Sequence, residues 1–178
     1  MCEALAPLAR QVDALDEQIE AIDDRIKAQV KGDDLARRLA TIPSIGPITA
    51  SALVATVRDP SAFASGPEFS AFIGLTPRQS SSGGKERLGR ITSAKPSGLL
   101  GTGDRYLRKL LVVGACAALS HRKGHNDALR VWADQLMARK PANYKFKLTA
   151  VAVANKVGRI VLALMTHGGE YVERPVAA

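Results

Sequence analysis

Seven apolar side chains near the N-terminus fall alternately three and four residues apart: Leu5, Leu8, Val12, Leu15, Ile19, Ile22 and Ile26. That is a heptad rhythm, with Leu5, Val12, Ile19 and Ile26 at one seam position and Leu8, Leu15 and Ile22 at the other. Mostly β-branched residues at the first and mainly leucine at the second favour two parallel helices. Pro7 suits a first helical turn, so the spacing predicts a helix from about Pro7 to Val30. Under four heptads is short for a free-standing coil. Two readings stay open: a seam between copies of the chain, or one amphipathic helix lying on its own domain. The stretch is acidic, with Glu3, Asp13, Asp16, Glu17, Glu20, Asp23 and Asp24 against Arg10, Arg25 and Lys27. Such a face avoids DNA and suits protein contact, so residues 1–31 are read as a dimerisation helix giving a homo-oligomer. Glu17, Glu20 and Asp24 share a helical spacing, but a solvated face explains them better than a metal site, and no metal ligand is assigned.

The rest of the chain also reads as helix. At 178 residues and 46% apolar it can bury a core, and with 4% aromatics that core must be aliphatic. Lys31 and Gly32 break the first helix. A short helix over about 34–41 meets Ile42-Pro43-Ser44-Ile45-Gly46-Pro47, and a second runs to about Val57. Further helices are expected over Glu68–Leu75, 104–120, 126–139 and 145–167. Ala150, Ala154 and Gly158 give the last one a small-residue face, and Gly168-Gly169 end it. No strand is read. The expected class is mostly α: a coiled-coil helix, then a compact helical domain over 32–170 with a core at 104–167, and a flexible tail at 171–178.

Charge is concentrated in one place. Residues 78–109 hold Arg78, Lys85, Arg87, Arg90, Lys95, Arg105, Arg108 and Lys109 against Glu86 and Asp104, a net of +6 within a chain of +8. Clustered cations are the footprint of a polyphosphate partner. Within a loop read as residues 76–103, Ser80, Ser81 and Ser82 precede Gly83 and Gly84, placing hydroxyl nucleophiles beside a site suited to a phosphodiester. Cations at 105–109 oppose the dipole of the helix they begin, unless a phosphate sits there. Tyr106 either packs or touches nucleic acid. His121 and His125 read as surface residues of a polar linker.

Cys2 and Cys116 form neither a disulfide framework nor a zinc site. The apolar runs read as interrupted or too short for a bilayer, and no signal-peptide core is seen. A cytoplasmic protein without membrane contact is expected.

The 42–47 turn resembles the helix-hairpin-helix of DNA-repair and recombination proteins, whose usual turn is Pro-Gly-Ile-Gly. Its role there is to aim backbone N–H groups at a DNA phosphate. Ser44 stands where the first glycine would be, Gly46 matches the second, and Pro47 removes one donor. A purely structural turn is the alternative.

Three segments in order, IPSIGPITASALVATVRDPSAF, FSAFIGLTPRQSSSGGKERLGRIT and GDRYLRKLLVVGACAAL, resemble the C-terminal domain of the IS-one-ten insertion-sequence transposases, the bridge-RNA-guided recombinases. The resemblance spans about residues 40–166, and residues 5–30 resemble the family's coiled coil. It implies DNA transposition through a serine that attacks a phosphodiester and forms a covalent phosphoserine, with a noncoding RNA selecting the DNA. The family's serine-before-glycine maps onto Ser82, with Ser81 the second choice and Ser80 the third. The expected nucleic-acid-binding residues are Arg78, Lys85, Arg87, Arg90, Arg105, Arg108, Lys109, Ser44 and Gly46. The resemblance also implies a separate RuvC-like domain whose acids hold a divalent metal such as Mg. That pattern is not found in these residues, so no cofactor is assigned to them. A second departure is the ten residues Ser93–Thr102, which separate Thr92 from Gly103 where the family has about two. The alternatives are a non-catalytic binding module, an inactive truncated transposase, or a structural fragment whose basic patch is incidental.

Overall fold

The computed structural model describes residues 2–76, 79–82, 85–88, 104–121 and 127–173. Helix α1 runs Cys2–Gly32 and so begins five residues before Pro7. A proline this close to a helix start removes a single backbone bond. At 31 residues α1 is about 46 Å long. Leu5, Leu8, Val12, Leu15, Ile19 and Ile22 are 50–61% exposed, whereas Ile26 is half-buried and Val30 buried. The helix therefore joins the rest of the chain only through its last turns, and residues 5–22 do not lie on their own domain.

Helix α2 (Asp34–Leu39) starts where the Asp33 carboxylate accepts from the Ala36 N–H at 3.0 Å. Helix α3 (Pro47–Thr56) follows the Ile42–Gly46 turn and packs on α1 and α2. A short 3-10 turn at Pro60–Ala62 leads to α4 (Gly66–Ile73), capped by Ser65 and ended by Gly74 at φ 78°. Phe63, Phe69 and Phe72 cluster there with centroids 5.0–6.2 Å apart, Phe63 edge-on to Phe69 and Phe69 stacked with Phe72.

Helices α5 (Arg105–Ser120), α6 (Ala128–Ala138) and α7 (Lys145–His167) complete the body. Their bounds fall within about two residues of those read from the sequence. Helix α7 is the centre, packed by α4, α5 and α6. Thr149, Ala150, Val153, Ala154, Val157, Gly158, Val161 and Leu162 form its buried face. Contrary to the sequence reading, α7 has the length and apolar composition to cross a membrane. Its apolar face is instead the core. The class is mostly α, as expected.

One departure is a β-hairpin. Strands β1 (Gln79–Ser82) and β2 (Lys85–Leu88) pair antiparallel where the sequence predicts a loop. At the other end, residues from the expected tail turn back on the body. The Tyr171 N–H donates to Thr41 Oγ1 at 3.1 Å, and Tyr171 is half-buried.

Candidate nucleic-acid interface

The turn between α2 and α3 is held from below by buried Ile42, Pro43 and Ile45, and closed by an Ile45 N–H to Ile42 carbonyl bond of 3.0 Å. Ser44 sits at φ 82°, the only non-glycine with positive φ among the described residues. A side chain in the left-handed region costs about 1–2 kcal/mol, and Ser44 adopts this conformation at the position the resemblance compares with the first glycine of the helix-hairpin-helix turn. The Ser44 carbonyl presses on α5: a Cβ built on Gly114 would lie 2.0 Å from that oxygen. Glycine is required at 114 by close approach rather than by its own backbone.

Gly46 is different. Its φ is −91°, it is exposed, and a Cβ there would meet nothing within 4 Å. No side chain caps α3, and Pro47 stands at its first position. The first N–H groups of α3, those of Ile48 and Thr49, therefore have no side-chain cap, and a helix start of this kind favours an anion.

The basic segment leaves and rejoins the body at adjacent points. The Asp104 N–H donates to the Phe72 carbonyl at 3.0 Å, and Arg108 donates to the Gly74 carbonyl at 3.4 Å. From α7, Asn155 Nδ2 donates to the Leu75 carbonyl at 3.4 Å while its Oδ1 accepts from Ser70 Oγ at 3.5 Å. Between these ends stands the hairpin, with Gln79 opposite Leu88, Ser80 opposite Arg87, Ser81 opposite Glu86 and Ser82 opposite Lys85.

The start of α5 needs no external anion. The Asp104 carboxylate accepts from the N–H groups of Tyr106 and Leu107 at 2.8 and 2.9 Å. It occupies the place where the sequence suggested a phosphate. Arg105 and Lys109 remain exposed beside it, and Tyr106 is 55% exposed rather than packed. Arg108 is half-buried and committed to Gly74. Gly114 lies nine residues beyond Arg105, about 14 Å along α5. One helix thus carries both the exposed cations and the support for the Ser44 turn.

Arg78, Arg90, His125 and the 93–102 insertion lie outside the described residues. Sequence reading did not find the Asn155 clamp, the Asp104 cap or the Gly114 contact. The cap had a signal, an aspartate directly before a helix. So did the hairpin, a Gly-Gly pair between two short runs. Among the described residues no three metal-ligating side chains gather, and Asp24 is paired with Lys27 at 2.8 Å, which lowers the aspartate's pKa.

Residues 36–130 match the model of the Transposase IS116/IS110/IS902 family. A probable family 20 transposase of Pseudomonas aeruginosa is 40% identical over 167 residues, 94% of this chain and 46% of that protein. A putative transposase of Sinorhizobium fredii, y4pF/y4sB, is 43% identical over 92% of this chain and 38% of its own length. The transposase for insertion sequence element IS1111A of Coxiella burnetii is 37% identical over 88% and 40% respectively. The chain thus spans less than half the length of each of these relatives.

Proposed function

This chain belongs to the Transposase IS116/IS110/IS902 family, and from that premise we propose that it is the serine-bearing, DNA-contacting part of a transposition enzyme. The observation that carries this reading is the clamp at 72–75 and 104–108, which fixes both ends of the most basic segment on the body. A nucleophile working on DNA needs positioning before anything else.

Ser82 is the proposed nucleophile. It is the serine directly before glycine, the position the family resemblance assigns to the nucleophile, and its backbone register partner is Lys85, whereas that of Ser81 is Glu86. The Ser82 Oγ–P bond forms as the bond from phosphorus to a deoxyribose oxygen breaks. The hydroxyl proton leaves the serine, and the departing oxygen takes up a proton. Cations stabilise the charge gathering on the phosphoryl oxygens; Lys85, Arg87, Arg105 and Lys109 are suited to this, with Arg78 and Arg90. Arg108 positions the segment through Gly74. The open α3 start at Ser44–Gly46 holds a neighbouring phosphate without reading bases.

Target choice is assigned to a noncoding guide RNA, and pairing of copies to the exposed stripe of α1. A divalent metal such as Mg is assigned to the acids of a separate RuvC-like domain. The test mixes this chain with a full-length family member whose own serine is replaced by alanine, then adds RNA and nicked DNA. A covalent adduct on Ser82, absent in Ser82→Ala, is the expected result. An adduct on Ser81 corrects the assignment within the mechanism. DNA binding without an adduct on any of the three serines makes the chain a binding module.

A further inference from the structure

A groove on the face formed by α6, α7 and the end of α4 carries charge that nothing in the described structure neutralises. Its cavity is about 550 Å³, inside the roughly 300–1,000 Å³ range of ligand pockets. Leu75, Leu148, Val151 and Ala152 line it with apolar surface beside Trp132. Lys156 and Arg159, one helical turn apart on α7, also line it. Lys156 Nζ lies 4.2 Å from the centre of the Trp132 ring. Among the described residues neither cation is paired with a carboxylate. Burial, and then the charge of Arg159, hold the Lys156 ammonium below its usual range. Like charges at this spacing are unfavourable on a helix, and an anion between them removes the conflict.

Charge alone would suit free phosphate, but the apolar lining asks for an apolar body attached to the anion. A nucleotide has both. In a duplex the bases face inward, whereas a single strand can turn its bases onto apolar and aromatic surface while its phosphates meet cations. Asn155, which also lines the groove, commits one amide N–H to the Leu75 carbonyl and its Oδ1 to Ser70, which fixes its side chain at the groove wall. The same bond connects the groove to the residue from which the basic segment departs.

We infer that this groove holds a short stretch of single-stranded nucleic acid, with bases on the apolar lining beside Trp132 and phosphates on Lys156 and Arg159. The inference rests on reading the chain as a DNA-acting protein, and it adds a second contact site with little sequence preference.

Trp132 is the only tryptophan of the chain, so its fluorescence reports on the groove alone. The full chain is titrated with oligo(dT), oligo(U), a DNA duplex and inorganic phosphate, while anisotropy of labelled strands follows total binding. Single strands should quench Trp132, and duplex and phosphate should not. The two single-strand arms separate DNA from RNA as the occupant. Lys156→Gln with Arg159→Gln should abolish the quench and lower the slope of log affinity against log salt by about 1.4, the value for two single-strand phosphate contacts. An unchanged circular dichroism spectrum shows the variant is folded. Strands that bind by anisotropy without moving Trp132, or a quench that survives the double variant, overturn the groove and leave the proposed function standing. No binding by either readout overturns both. A Trp132 response to protein concentration, or to a peptide of the acidic α1 sequence, makes the groove a protein-docking surface instead.

Discussion

The outer part of α1 and the central helix α7 carry equally regular apolar stripes with opposite fates. In α7 the stripe is the core, and Val153, Ala154, Val157 and Val161 are at most 2% exposed. In α1 the six stripe residues from Leu5 to Ile22 are all at least half exposed. Periodicity fixes which face of a helix is apolar; it does not say what covers it. The α7 stripe includes small residues that let neighbouring helices come close. The α1 stripe is built of Leu, Val and Ile at heptad spacing, so it is made to meet side chains of similar size. A body that packs itself and an arm whose apolar face stays open should respond differently to substitution.

The largest effect is expected inside the body, at Gly114. An alanine Cβ 2.0 Å from the Ser44 carbonyl meets backbone, which cannot swing aside. Either α5 or the turn must move. Gly114→Ala should cost about 3 kcal/mol or more and lower the melting temperature by roughly 6–12 °C in a domain of this size. Because the turn holds the open start of α3, DNA affinity should fall with stability. A variant with unchanged melting would mean that the body is not close-packed there, and the contrast with the arm would lose its strongest point.

The arm should show the reverse. Ile19 is 54% exposed in the single chain, so Ile19→Asp should move the stability of the body by no more than about 0.5 kcal/mol. If the stripe is a seam between copies, burying that carboxylate costs about 1–3 kcal/mol per copy. Light scattering should then show a dimer or larger species for the parent and dissociation for the variant. A parent that is monomeric at all concentrations would break the comparison from the other side, leaving the stripe without a partner helix.

This difference also marks what was legible in the sequence. Helices α4 and α7 were readable because apolar residues run up to glycine stops at Gly74 and Gly168-Gly169, and the Lys31-Gly32 break separates α2 from α1. The stripe of α1 was readable as a pattern, and only the fold showed that residues 5–22 do not lie on the body. Features that depend on residues far apart in the chain were not readable. Gly114 looks like any glycine in an apolar helix until Ser44, seventy positions earlier, is placed against it. Arg108 counts as one more cation in a basic run until Gly74 is seen to take its guanidinium. Asn155 lies in a helix of core residues, and nothing local indicates that it holds Leu75, the start of the segment with the candidate serine. The basic segment itself was legible as charge and as a serine-glycine sequence; the Gly-Gly pair offered a hairpin signal, but the register of the two short strands was not legible.

The smallest expected effect concerns Gly158, which the sequence placed on a small-residue face. It sits inside α7, as Gly114 sits inside α5, yet its surroundings differ. An added Cβ would stand 3.6 Å from Ile73 Cδ1 and 3.9 Å from Leu75 Cδ1, ordinary contact distances to flexible side-chain ends. No strained backbone opposes the change, since Gly158 is not among the positive-φ glycines. Alanine in a helix interior gains about 0.5–1 kcal/mol over glycine through the entropy of the unfolded chain. Gly158→Ala should therefore stabilise the protein, raising its melting temperature by roughly 1–4 °C, while Gly114→Ala lowers it. Both are glycine-to-alanine changes in buried helices, so helix propensity is matched and only the neighbouring atoms differ. If Gly158→Ala instead destabilised by more than about 1 kcal/mol, the α4–α7 contact would be as tight as that between α5 and the Ser44 turn. The body would then be uniformly close-packed, and the contrast with the open α1 arm would be sharper than the present geometry gives.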